Sequence, residues 1–166
     1  MHDQIPFYKP FMTGRELDFI SECVLQGQTS GNGPYTRLCE RLIGNIIGSG
    51  HLLLTTSCSS GLHIAALLCD LEPGDEVVMP AYCSPVAANA FLSVGARPVF
   101  ADVDSDTLNI DIEQVESCLT DRTRVILPLH YSGTACDMSR LLKITEDKTI
   151  RVVEDVSEGF GARYHG

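Results

Sequence analysis

Two short segments contain the residue types best suited to chemistry. The first, residues 55–62, has five hydroxyl side chains before a glycine; it follows the apolar run 52–54 and opens an apolar helix pattern. Such a segment directs free backbone N–H groups and a helix N-terminus at one point, which suits a phosphate. The second, residues 152–155, ends a buried strand pattern with a carboxylate, where open α/β sheets bind ligands. Together they could hold a phosphorylated heterocycle with a basic ring nitrogen, such as pyridoxal phosphate.

The bulk composition predicts one soluble globular domain. The chain has 166 residues, of which 44% are hydrophobic and 20% charged, and this length allows a sizeable core. A net charge of −10 argues against nucleic acid or an anionic membrane surface as partner. No apolar run reaches membrane-spanning length, and residues 1–4 do not begin a signal peptide. We therefore expect no nucleic-acid partner, no membrane partner and a cytoplasmic location.

The cysteine pattern favours a reducing compartment. Seven cysteines are scattered along the chain without a C-x-x-C pair. An odd count without paired spacing favours neither a disulfide framework nor a zinc site, so we expect no metal. Cys58 is the one cysteine inside a candidate site, but no His–Asp arrangement that would make it a nucleophile is evident around it.

From residue 51 onward, short apolar runs alternate with helical patterns. The predicted strands are 52–55, 77–80, 98–103, 125–130 and 151–156, and the predicted helices are 60–71, 85–94, 112–119 and 138–146. Continuous apolar strands alternating with helices are typical of a mostly parallel sheet covered on both faces. Ser84 followed by Pro85 is a good start for the second of these helices. The last predicted strand should lie near the middle of a sheet, so the chain is interpreted as part of a larger domain.

The first fifty residues have a different pattern. Residues 5–13 predict an extended arm, and Thr13 with Glu16 predicts a capping box for a first helix. A second helix is predicted by the apolar spacing around residues 38–46. Between the two helices, residues 27–34 form a glycine-rich loop, which is either a flexible turn or a loop lying over a ligand. We therefore divide one domain into residues 1–50, the arm and helices, and residues 51–166, the sheet region.

Four longer motifs, in this order, resemble one known family. They are PGDEVVMPAY at 73–82, RPVFADVDSDTLNID at 97–111, TDRTRVILPLHYSG at 120–133 and VVEDVSEG at 152–159. They are similar to motifs of the DegT/StrS sugar-nucleotide aminotransferases, and the resemblance covers about residues 5–164. It implies the α/β/α large domain of fold type I pyridoxal phosphate enzymes, incomplete at the C-terminus. It also implies transfer of an amino group from an amino acid, expected to be glutamate, to a keto group of a nucleotide-linked deoxysugar. A homodimer is implied for the full-length protein.

The resemblance carries functional roles onto individual positions. Ser57, Cys58 and Ser59 match the phosphate loop, Asp155 matches the partner of the pyridine nitrogen, and His130 lies in a strand end near the cofactor or is simply a satisfied histidine. The implied cofactor residues are Ser57, Cys58, Ser59, Ser84, His130, Asp155 and Glu158, and the implied substrate residues are Thr29, Ser30 and Gly31. An Asp against the ring nitrogen keeps the nitrogen protonated, as the electron sink of this chemistry requires.

Three positions depart from the family pattern. Ser84 stands where relatives have an aromatic side chain that stacks on the pyridine ring; Tyr82 could compensate, or Ser84 could cap the helix. Glu158 stands where relatives carry Gln or His near the phenolic oxygen of the cofactor, and a carboxylate there would repel a phenolate. The Schiff-base lysine of the family lies beyond the last residue. The lysines present, Lys9, Lys143 and Lys148, are not in its place, so we expect this chain alone to be inactive.

Alternatives to the aminotransferase remain open at this stage. A related dehydratase with histidine in place of the lysine would look the same over these residues. A non-catalytic remnant or partner-binding subunit would fit the departures at Ser84 and Glu158. A Rossmann dehydrogenase is not favoured, because no G-x-G-x-x-G follows the first predicted strand.

Overall fold

The chain divides between Leu53 and Leu54 into two units, and each is described by itself. The computed structural model describes residues 5–6, 9–146 and 148–165. The described part of the arm, residues 5–6 and 9–13, contains no helix or strand, while Phe7 and Tyr8 lie outside the described residues.

The first unit contains two helices, α1 (Glu16–Leu25) and α2 (Pro34–Ile47). The predicted capping box is only half formed. Glu16 accepts hydrogen bonds from the backbone N–H groups of Thr13, at 2.6 Å, and Gly14, at 2.8 Å, but Arg15 is the N-cap. α2 has Pro34 at its first position and ends at Gly48 with a φ of 71°, a left-handed conformation that suits glycine. Among the described residues, no helix has the length and apolar character needed to cross a bilayer.

The second unit alternates helices with parallel strands. Its elements are α3 (Cys58–Leu68), β1 (Glu76–Pro80), α4 (Pro85–Leu92), β2 (Arg97–Ala101), α5 (Ile112–Cys118), β3 (Thr123–Ile126), a 3-10 turn (Tyr131–Gly133), α6 (Met138–Thr145) and β4 (Arg151–Val152). The sheet order is β2-β1-β3-β4, and every pairing is parallel. In register, Val78 of β1 lies opposite Val99 and Ile126. This confirms the predicted α/β class with a parallel sheet.

The predicted strand at 52–55 is wrong. These residues belong to no strand in the described structure, and Leu53 is 69% exposed. An apolar run becomes a strand only where a neighbouring strand offers hydrogen-bond partners. The described sheet ends at β2 on one side and β4 on the other, and neither edge is paired with residues 52–55. The apolar run alone could not reveal this.

The core lies on both faces of the sheet. Alternate side chains of one strand enter opposite clusters: Val77 and Met79 pack with α3 and α4, whereas Val78 packs with α5 and α6. Phe91 and Leu141 are the largest fully buried helix side chains in the two clusters. Burying both faces explains why the strands are apolar without alternation. It also leaves the polar groups to collect at the ends of the strands.

Glu76 is a buried carboxylate at the start of β1. Its side chain is only 4% exposed and forms an ion pair with Arg97. The other carboxylate oxygen accepts a hydrogen bond from the Thr120 hydroxyl at 2.6 Å. The Thr120 hydroxyl and the Arg97 guanidinium hold the pKa of Glu76 below its ordinary value. The carboxylate therefore joins β1, β2 and the segment before β3.

We predict that Glu76→Gln lowers the free energy of unfolding by about 1–3 kcal/mol, because the charged bonds of a buried group are lost. The pKa of Glu76 is lower in the folded state, so its contribution is complete above about pH 4.5 and disappears as the pH falls through the lowered folded value. Urea unfolding of wild type and variant between pH 7 and pH 2.5 measures this. Glu116→Gln, at an exposed position of α5, is the control; equal effects of the two variants, or a difference independent of pH, would contradict the prediction.

Candidate active site

The candidate residues of the second unit collect where the parallel strands end. Asp155 follows β4, His130 follows β3, and Ser84 follows β1. Carboxyl ends of parallel strands share one edge of a sheet, and ligands of open α/β sheets bind at that edge. The N-terminus of α3 supplies the remaining group of residues.

The N-terminus of α3 is built to receive an anion. Ser57 is its N-cap, and its Oγ accepts the backbone N–H of Ser60 at 3.1 Å. Thr55 supports the turn by donating its hydroxyl to the carbonyl of Ser57 at 2.8 Å. Among the described residues, the backbone N–H groups of Cys58 and Ser59 and the hydroxyl of Ser59 have no hydrogen-bond partner. These three donors, at the positive end of an 11-residue helix, match the needs of a phosphate.

Asp155 is fixed by its backbone while part of its carboxylate stays available. Its N–H donates to the carbonyl of Pro128 at 2.9 Å, and its carbonyl accepts the N–H of His130 at 3.1 Å. One carboxylate oxygen, Oδ1, accepts the N–H of Ser157 at 3.0 Å. The other oxygen has no hydrogen-bond partner in the described part of the chain. A half-buried carboxylate with one oxygen available can receive a protonated ring nitrogen.

The charge of Asp155 acts on two nearby thiols, Cys58 and Cys83. Burial, and then the Asp155 carboxylate, raise the pKa of Cys58 at the start of α3. The same two causes raise the pKa of Cys83, in the connection between β1 and α4. Charge effects weaken with distance, so the phosphate segment, this connection and Asp155 lie close together. A raised pKa also keeps Cys58 a thiol, which argues against a nucleophilic role.

His130 has both ring nitrogens engaged within the chain. Its Nδ1 accepts the N–H of Cys136 at 3.1 Å, so Nε2 carries the proton and donates to Glu154 at 2.9 Å. His130 is 6% exposed. Gly159 packs closely against it, since a Cβ added to Gly159 would lie only 3.2 Å from the Cβ of His130. Any contact of His130 with a ligand would therefore use the face or edge of the ring. Its cofactor role remains a prediction.

Ser84 forms the cap of α4. Its Oγ accepts the N–H of Val86 at 3.4 Å, and Pro85 occupies the first helical position. The aromatic side chain nearest in sequence, Tyr82, is half exposed and pairs with Tyr131, a residue that the sequence reasoning did not single out. Their ring centroids are 5.1 Å apart, and their hydroxyls are 3.2 Å apart. Stacking of Tyr82 on a ligand stays a prediction.

Glu158 lies against a turn of the protein. Its Oε2 accepts the N–H of Ser132 at 2.7 Å. The same turn is held by Asn109, which is 4% exposed and was also missed by the sequence reasoning. Asn109 accepts the N–H of Tyr131 at 2.9 Å and donates to the carbonyl of Thr134 at 3.0 Å. The sequence signal for Asn109 was its position as a polar residue within the run TLNID, residues 107–111.

The other predicted positions lie elsewhere in the chain. Thr29, Ser30 and Gly31 are exposed and belong to the connection between α1 and α2 in the first unit. Their role toward a substrate stays a prediction. Lys143 lies in the last turn of α6 and Lys148 precedes β4, whereas Asp155 follows β4. That neither lysine takes the Schiff-base position stays a prediction.

The chain is similar to known proteins over nearly its whole length. The model of the DegT/DnrJ/EryC1/StrS aminotransferase family matches residues 12–166. GDP-perosamine synthase of Escherichia coli O157:H7 is 32% identical over 98% of this chain and 44% of its own length. The crystal structure of 3-amino-5-hydroxybenzoic acid synthase superposes with a TM-score of 0.90 at 32% identity, over 98% of this chain and 42% of that one.

Dehydratases are also among the solved relatives. GDP-4-keto-6-deoxymannose-3-dehydratase, with a trapped PLP-glutamate geminal diamine, superposes with a TM-score of 0.88 at 29% identity, over 98% of this chain and 44% of that one. The chain thus spans less than half the length of the relatives that it matches. Family match, fold and motif order agree: the chain belongs to the DegT/DnrJ/EryC1/StrS aminotransferase family.

Proposed function

We propose that this chain forms the phosphate- and pyridine-binding part of a pyridoxal phosphate-dependent aminotransferase acting on a nucleotide-linked keto-deoxysugar. An amino acid, expected to be glutamate, would donate the amino group. The observation that carries the proposal is the convergence of an anion-binding helix N-terminus and a half-free carboxylate at one edge of the sheet. Family membership supports the reaction class.

The residues present fit the cofactor at two separate points. The N–H groups of Cys58 and Ser59 and the Ser59 hydroxyl offer three donors for a phosphate. The free oxygen of Asp155 offers an acceptor for a protonated ring nitrogen. Once bound, pyridoxal phosphate supplies an electron sink for the carbanion formed at the amino acid.

The protein's own contribution is positioning and proton control. Asp155 holds a proton on the ring nitrogen, because a carboxylate beside that nitrogen stabilises its charged form. The backbone bonds of Asp155 to Pro128 and His130 fix the carboxylate in place. Ser57 holds the first turn of α3 so that the N–H groups of Cys58 and Ser59 stay directed at the phosphate.

For the whole protein we also propose a cytoplasmic homodimer without a membrane partner. Seven free cysteines agree with a reducing compartment, and the dimer is inferred from the family resemblance alone. Sedimentation of the purified whole protein tests the oligomeric state.

A sugar dehydratase is the second candidate function. The similarity to GDP-4-keto-6-deoxymannose-3-dehydratase favours it. Incubating the whole protein with a nucleotide-linked keto-deoxysugar and glutamate, followed by mass analysis of the sugar, separates the two. An amino group in the product supports the aminotransferase, whereas loss of a hydroxyl without gain of nitrogen supports the dehydratase. No cofactor-dependent change in either direction would favour the non-catalytic subunit.

We predict that Ser57→Ala and Ser59→Ala act on different properties. Loss of the Ser57 cap should lower the free energy of unfolding by about 0.5–2 kcal/mol. Loss of the Ser59 hydroxyl should leave stability unchanged and weaken cofactor binding by about threefold to tenfold, which is the range of one hydrogen bond. Urea unfolding of the cofactor-free protein and fluorescence titration with pyridoxal phosphate measure the two effects. Unchanged cofactor affinity in Ser59→Ala would remove this hydroxyl from the phosphate site.

We predict that Asp155→Asn lowers kcat of the whole enzyme by about a hundredfold or more, as is typical when one electrostatic partner of a transition state is lost. The asparagine keeps an acceptor for the Ser157 N–H, so the local turn should persist. Steady-state kinetics measure the loss, and the absorbance spectrum of the bound cofactor reports the protonation of its ring. Glu116→Gln on α5 is the control for removal of an acid. Near-normal kcat in Asp155→Asn would rule out the assigned role.

A further inference from the structure

The turn that follows β3 is held by side chains from two other parts of the second unit. Ser132 has a φ of 50°, a left-handed conformation that is costly for a residue with a Cβ. Gly133 follows with a φ of 82°. Asn109, from the connection between β2 and α5, binds the N–H of Tyr131 and the carbonyl of Thr134. These two bonds fix both ends of the turn but leave its left-handed centre to another group.

Glu158 supplies that group. Its carboxylate accepts the N–H of Ser132 at 2.7 Å, the short distance typical of a charge-assisted hydrogen bond. The contact joins residues 26 positions apart in sequence, so it links the segment after β4 to the segment after β3. A carboxylate used in this way has no need of a ligand to be satisfied.

The turn places the phenol of Tyr131 beside the phenol of Tyr82, at the edge of the sheet where a ligand is expected. Tyr131 packs against Tyr82, which follows β1, and the two hydroxyls are 3.2 Å apart. The hydrogen bond to Tyr82, together with burial and the charge of Glu158, raises the pKa of Tyr131. Tyr131 therefore keeps its proton at neutral pH. When one hydroxyl of such a pair donates to the other, the second O–H remains free to donate to an oxygen atom of a ligand.

We propose that Glu158 is a positioning residue: it holds the turn at residues 131–134, and through it the Tyr82–Tyr131 pair, and does not contact the phenolic oxygen of the cofactor. This differs from the role that the family resemblance implies for the position, where relatives carry Gln or His. It rests on the proposed function for the identity of the ligand. It removes the repulsion expected between Glu158 and a phenolate, because the carboxylate is directed at the backbone of Ser132.

Glu158→Ala and Glu158→Gln separate the two roles. Alanine removes the acceptor for the Ser132 N–H, whereas glutamine keeps a neutral acceptor and deletes the charge. Hydrogen exchange of the Ser132 amide, resolved by fragmentation mass spectrometry, is measured on the cofactor-free whole protein. The pH midpoint of the absorbance change of bound pyridoxal phosphate is measured on the loaded protein. Glu116→Ala is the control for loss of an acid on a helix.

The expected result has two parts. Glu158→Ala should speed exchange at Ser132 by about tenfold or more, because the acceptor of its N–H is lost. Glu158→Gln should stay within about threefold of wild type, because the amide oxygen of glutamine still accepts the bond, although without the charge. The absorbance midpoint of the bound cofactor should be the same in Glu158→Gln and wild type. A shifted midpoint in Glu158→Gln, or unchanged exchange in Glu158→Ala, would overturn the proposal. Absence of any bound cofactor in wild type would overturn the proposed function instead, and the exchange at Ser132 would still decide the role of Glu158.

Discussion

The site depends on strand pairing that continues beyond the regular ends of β3 and β4. Val153 donates to the carbonyl of Ile126, and Asp155 donates to the carbonyl of Pro128 and accepts from His130. Leu129 and Asp155 form a parallel bridge at the edge of the sheet. These bonds fix the position of Asp155 more firmly than a side-chain contact could, because both its N–H and its carbonyl are held by the segment after β3. The phosphate segment, the phenol pair and the turn at 131–134 are all arranged around this pairing.

Polar groups near this edge satisfy one another within the protein. In the described part of the chain, no buried side-chain nitrogen or oxygen lacks a hydrogen-bond partner. His130 binds Cys136 and Glu154, and Asn109 binds both ends of the neighbouring turn. Burial raises the pKa of the Cys136 thiol to about 11, so it stays neutral in this network. Among the described residues at this edge, the N–H groups of Cys58 and Ser59 and one oxygen of Asp155 have no protein partner, and a ligand is expected there.

Sequence reasoning located the local features well and the long-range ones poorly. The start of α4 at Ser84 and Pro85 depends on neighbouring residues, so its cap could be predicted. α3 begins two residues earlier than the predicted helix at 60, because Ser57 closes the first turn. The run at 52–55 looked like a strand, since the sequence does not show whether a pairing partner is present. The direction of Glu158 depends on Ser132, a residue distant in sequence, and no local pattern predicts such a contact.

The parallel topology has a consequence for how the binding edge forms during folding. Parallel strands cannot be joined by tight turns, so each neighbour arrives only after an intervening crossover. Ser59 and Asp155 lie at opposite ends of this series, and their encounter requires contacts between distant parts of the chain. Such contacts form slowly, because the chain loses the entropy of loop closure before the stabilising contacts are made. A ligand that binds both residues recognises only chains in which β1, β3 and β4 have paired, and its binding energy therefore stabilises that pairing.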